Sequence, residues 1–168
     1  MDQFKHKEEE KYPANKLVYD IVQDTDQIRN IQVILELHRS TLENILDTPF
    51  EPNGGQIGKI IQGIGQELEK FIQKDDILQR NLSSLLNNLN TLKGQVEWAW
   101  HAEKMIPYVE QMAHEQKDLC NLIYMKISEK IEKALLFSSM VQDEEMVQNE
   151  LIELALHIQQ KLGIAQAL

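Results

Sequence analysis

Between Ile57 and Val96 apolar residues recur in a four–three rhythm, Ile57, Ile61, Ile64, Leu68, Phe71, Leu78, Leu82, Leu85, Leu89, Leu92 and Val96, with Asp75 as the polar exception. A spacing that averages about 3.5 residues keeps one narrow stripe of a helix turned toward a neighbouring helix. Sustained over more than five heptads, the stripe demands a long helix with a coiled-coil seam. These residues are the candidate partner interface. The fold class that follows is all-α: an elongated antiparallel helical hairpin or bundle with a coiled-coil seam, built from three to four long helices.

Length limits what those helices can make. The 168 residues suit one structural unit with a real core and are too few for two globular domains of usual size. Hydrophobic residues at 42% exclude wholesale disorder, while 6% aromatics and only eleven glycines and prolines (7 and 4) are poor material for a sheet. The formal net charge of -10 repels phosphate backbones and anionic headgroups, so direct nucleic-acid binding is not expected. A single cysteine, Cys120, allows no intramolecular disulfide and makes an intracellular location the expectation, cytoplasmic and nuclear being indistinguishable. The opening MDQFKHKEEEKYP has no apolar signal core, and no run approaches the roughly 18 apolar residues of a membrane span. A soluble protein is expected.

Residues 1–13 read as a charged, flexible tail, and residues 14–168 as a single helical domain. Pro13 and Asn15 suit a helix start. The first helix then carries Leu17, Ile21, Ile28, Ile31, Leu35, Leu42 and Ile45, with Asp24 and His38 at seam positions and Val18, Val22, Ile34 and Leu46 broadening the stripe. Two prolines and an Asn-Gly-Gly run place a loop at 47–56, which should fold the first two helices back antiparallel. The seam helix is expected to continue to Lys104, about 70 Å long, with Gly58, Gly63 and Gly65 weakening its start by about 1 kcal/mol each. Trp98 and Trp100, two apart, must point to different faces. Pro107 predicts a break at 105–107. A third helix carries Met112, Leu119, Ile123, Ile127, Ile131 and Leu135; a further break falls at 139–143; and a last helix carries Val147, Leu151, Leu154, Ile158 and Leu162 before Gly163 stops it.

Chemistry-bearing constellations are sparse. Glu97 and His101, Glu110 and His114, and Glu153 and His157 stand four apart, placing carboxylate and imidazole on one helix face. Di-metal bundles space Glu and His by three and add converging glutamates, so these pairs read as helix-stabilising, not metal-ligating. Cys120 lies on an amphipathic stretch with no histidine motif beside it and reads as a structural thiol. Gly54, Gly55, Gly58 and Lys59 lack the Gly-Lys-Ser/Thr ending of a phosphate loop. No cofactor, metal or catalytic residue is expected, and the chain reads as a non-enzyme.

Asp24, His38 and Asp75 are the polar intrusions in the seams, residues of a kind that either fix helix register or turn outward to water. The five methionines from Met105 to Met146 read as core filler or, alternatively, an adaptable docking face.

In architecture and composition the chain looks like the small coiled-coil subunits of multi-protein scaffolds such as Mediator, augmin-type spindle complexes and kinetochores. Leu68 to Leu89, with Lys74-Asp75-Asp76-Ile77-Leu78, and Ile106-Pro107-Tyr108-Val109-Glu110 resemble pieces of small Mediator subunits. No family is assigned on this likeness. It implies a structural subunit of a larger intracellular assembly whose partners are other helical proteins or a second copy. The alternative is a self-contained acidic four-helix bundle serving as adaptor or chaperone, and a metal-binding bundle enzyme comes third.

Overall fold

A computed structural model describes residues 2–52, 55–140 and 145–167, with side chains described from Asn15 to Pro52, Gly55 to Phe137 and Leu151 to Ala165. Its elements are α1 (Asp2–Asp47), α2 (Ile57–Lys93), α3 (Ala99–Met140) and α4 (Glu145–Ala167). Among the described residues there is no strand, so the chain is an all-α bundle. It divides into two compact units, one formed by Met1–Ile34 with Asp75–Lys117, the other by Leu35–Lys74 with Asp118–Leu168. The first draws on α1, α2 and α3; the second draws on all four helices.

In the four-helix unit, α1 and α2 run antiparallel. His38 meets Glu67, and Ile45 lies against Gly63, where its Cδ1 is 3.4 Å from the point a Cβ would occupy. Helix α4 runs parallel to α2, with Ile158 against Gly65 and Lys161 paired to Glu69 at 3.2 Å. Phe71 is fully buried and meets the edge of Tyr124 from α3, ring centres 6.3 Å apart. The three-helix unit repeats the antiparallel arrangement. Asp24 of α1 bonds Ser84 and Asn88 of α2, and Asp75 of α2 bonds Gln116 of α3.

Where the loop is expected at 47–56, α1 ends at Asp47 and α2 starts at Ile57, residues 53 and 54 lying outside the described residues, and the end of α1 is held from outside. That helix has no basic residue in its last turn to complement its carbonyls. Lys130 of α3 supplies one: its Nζ donates to the Thr48 carbonyl at 2.6 Å and lies 4.4 Å from the centre of the Phe50 ring, which packs on Phe137. Burial pushes the Lys130 pKa down, nearby Lys133 adds to the shift, and Asp47 opposes it.

The helices depart from the sequence expectation at four places. Helix α2 stops at Lys93, well short of Lys104. There the amides of Gly94 and Gln95 turn to carbonyls three residues back, and Trp98 accepts the first hydrogen bond of α3 from Ala102. Glycine's weak helix propensity lets the chain tighten into these turns. Pro107, expected at the break, instead lies inside α3. Its cost of about 3 kcal/mol is offset by packing on either side, where Ala102 and Val109 are buried, while Glu103 and Pro107 face water that can serve the orphaned carbonyl. Helix α4 continues through Gly163, and α1 begins ahead of Pro13, because the Glu- and Lys-rich stretch read as a tail consists of good helix formers. Of the expected break at 139–143, residues 141–143 lie outside the described residues; α3 is described to Met140 and α4 from Glu145.

The glycines of α2 differ in what surrounds them. A Cβ on Gly58 would meet nothing within 4 Å, and one on Gly65 would sit 3.5 Å from Ile158, an ordinary contact. Gly58→Ala and Gly65→Ala should therefore each raise stability by about 0.5–1 kcal/mol through helix propensity. Urea midpoints check this, and a loss at Gly65 would mean that α4 packs more tightly than described.

Candidate interaction surface

The seam comes first, because the sequence nominates it as the partner interface. Ile57, Ile61, Ile64, Leu68, Phe71, Leu78, Leu82, Leu85, Leu89 and Leu92 are all buried in the single chain, most of them completely. Their stripe is thus occupied by the chain's own helices, and a partner could reach it only by separating them. Val96 differs: it lies beyond the end of α2 and is 94% exposed. A heptad pattern specifies that a helix will be covered without specifying which chain covers it.

Each polar intrusion in the seams has a partner across a helix boundary. Asp24 Oδ2 accepts from Ser84 Oγ at 3.1 Å and from Asn88 Nδ2 at 3.3 Å. Asp75 Oδ1 accepts from Gln116 Nε2 at 3.0 Å, and His38 Nδ1 lies 3.1 Å from Glu67 Oε2. These cross-helix bonds form only when the helices are in one longitudinal register, since a shift by one turn would leave the half-buried groups without partners.

The sequence's other candidates are placed as follows. Glu97 precedes the start of α3, so it does not share a helix face with His101. That imidazole instead packs against Trp98 and edge-on to Trp100, at 6.1 and 5.0 Å between ring centres. Among the described residues no group of three or more His, Cys, Asp or Glu is placed to hold a metal ion. Cys120 is buried in α3.

What the three-helix unit does offer is a groove of about 420 Å³ between α1 and α3. Its floor includes Ile21, Leu89, Leu92 and Ala102, all buried, and the alanine makes room where a larger side chain would fill the space. Val22, 54% exposed, and Met105 flank it, with Trp98 and His101 on the α3 side and Asp26 and Arg29 on the α1 side. Beside it Trp100 is largely exposed and carries the Lys104 ammonium 4.1 Å from a ring centre. Sequence reasoning placed the two tryptophans on different faces, and Trp98 is indeed half-buried where Trp100 is exposed. It missed the groove, because that depends on the α2–α3 turn falling at Gly94.

No protein-family model matches the chain, and no curated protein or solved structure matches it. No described helix is long and apolar enough to cross a membrane.

The register bonds can be tested at Asp24. Asp24→Ala should cost about 1 kcal/mol by leaving the Ser84 and Asn88 donors short of an acceptor. Replacing both sides, Asp24→Leu with Asn88→Leu, should recover most of that loss. Chemical denaturation of the three proteins checks the pattern, which an unchanged single variant would contradict.

Proposed function

We propose that this chain is a non-enzymatic helical interaction subunit of a larger intracellular protein assembly, engaging other helices through the open face of its three-helix unit. The groove between α1 and α3 is the observation that carries the reading. Its lining includes Trp98, Met105 and Arg29, of residue types enriched at protein interfaces, and its buried apolar floor is bordered by charges of both signs. A helix laid there would complete a four-helix arrangement in a unit that has three. The long seam contributes by holding the groove's walls in place. The alternative, a self-contained adaptor or chaperone bundle, draws its support from the other unit, in which all four helices pack together.

Val22→Glu with Met105→Glu puts charge on the groove's rim at exposed positions and should leave the melting temperature unchanged. Tagged protein in its native source should then lose its stoichiometric helical partner, while Gln62→Glu, at an exposed position of α2, should retain it. Full retention by the rim variant, with its fold intact, would contradict the assignment.

A further inference from the structure

Helix α1 carries a second stripe in addition to the one it buries. Within the three-helix unit its inward side chains include the buried Ile21 and Ile28, whereas Tyr19, Val22, Asp26, Arg29 and Val33 are exposed. These five residues are spaced three, four, three and four apart, the rhythm of a coiled-coil seam, on a face that the described residues leave exposed. Tyr19 and Val33 are 61% and 72% exposed, apolar surface on which another helix can pack.

The order of the stripe identifies what packs there. Val22 and Val33 are equidistant from the point midway between Gln27 and Ile28, and so are Asp26 and Arg29. Turned end for end, the four residues from Val22 to Val33 read the same in apolar positions and opposite in charge, while Tyr19 falls opposite Glu36. We propose that a second copy of this chain docks on it, the two α1 helices antiparallel about a two-fold axis through that midpoint. Val22 of each copy then faces Val33 of the other, and Asp26 faces Arg29 twice over. This is the self-complementarity that an isologous interface requires. A parallel, in-register pair would set Asp26 against Asp26 and Arg29 against Arg29, so charge alone selects the antiparallel form. Among the described residues neither Asp26 nor Arg29 is engaged in an ion pair or side-chain hydrogen bond within its own chain, which leaves both available. For a chain of net charge -10, two local attractions at the axis also counter the mutual repulsion of the copies.

The proposal rests on the reading of this face as an interaction surface and names its occupant. Val22, Asp26 and Arg29 belong both to the stripe and to the border of the groove, so the second copy's α1 lies along the groove's mouth.

Sedimentation of the purified full chain over a range of concentrations tests the geometry. Wild type should be a concentration-dependent dimer that salt weakens. D26R and R29D each place like charges at the axis and should weaken self-association on the order of tenfold, with unchanged helicity because both residues are exposed. Mixing the two variants should restore dimerisation, since each supplies the sign the other lacks, and the double variant D26R/R29D should self-associate like wild type. A wild-type monomer at every concentration, single variants that dimerise normally, or a mixture that stays monomeric would each overturn the proposal. If V22E/M105E loses a different partner chain while the charge variants change nothing, the interaction reading stands and the second copy is not the occupant.

Discussion

Burying the apolar stripe of α2 is the constraint on which the other features depend. Each fully buried Leu, Ile or Phe contributes roughly 2–3 kcal/mol relative to exposure, and α2 presents such residues on one face from Ile57 to Leu92. Within the four-helix unit Tyr124 of α3 meets Phe71 on that face, while Ile45 of α1 and Ile158 of α4 pack beside it on Gly63 and Gly65; within the three-helix unit Leu89 and Leu92 lie between α1 and α3. The outward faces of α1 and α3 are left to carry whatever the protein does. Hydrophobic burial is non-directional, however, and would tolerate a slide of one helix along another. The cross-helix bonds of Asp24, His38 and Asp75 supply the direction that burial lacks.

This division of labour explains why the polar intrusions are tolerated. Each places a half-buried charged or ionisable group in a seam, a net cost unless a partner stands opposite. Ser84, Asn88, Glu67 and Gln116 are those partners, and none belongs to the helix whose seam is interrupted. Lys130 acts in the same manner at the loop, closing the carbonyl end of α1 from another helix.

Much of the helical architecture is legible in the residues. The seam spacing, the 47–56 loop and the inward faces of α1 and α4 follow from apolar period and from Pro and Gly placement, because local propensity and burial there agree. Where they disagree, the reading slips. Pro107 is the stronger local breaker, yet flanking Ala102 and Val109 are buried and hold α3 together, whereas Gly94 has no such packing and yields. Gly163 likewise remains within α4. The candidate site is less legible still. The heptad run shows a helix that must be covered, but whether its own chain covers it depends on contacts between residues far apart in sequence. The outer stripe of α1 is concealed for a similar reason: Val22 fits a broadened inward stripe as readily as an outward one, and only its exposure distinguishes them.

The central claim is that the chain fills its own seam. It is tested most directly by thiol crosslinking in a Cys120→Ala background, with one cysteine pair at Asp24 and Ser84 and another at His38 and Glu67, joined by a short bifunctional reagent in dilute solution. The account predicts rapid crosslinking within single chains for both pairs, seen as monomer-sized products with altered mobility. Products that form only between chains would contradict it and show that the seam of α2 is covered by a different molecule.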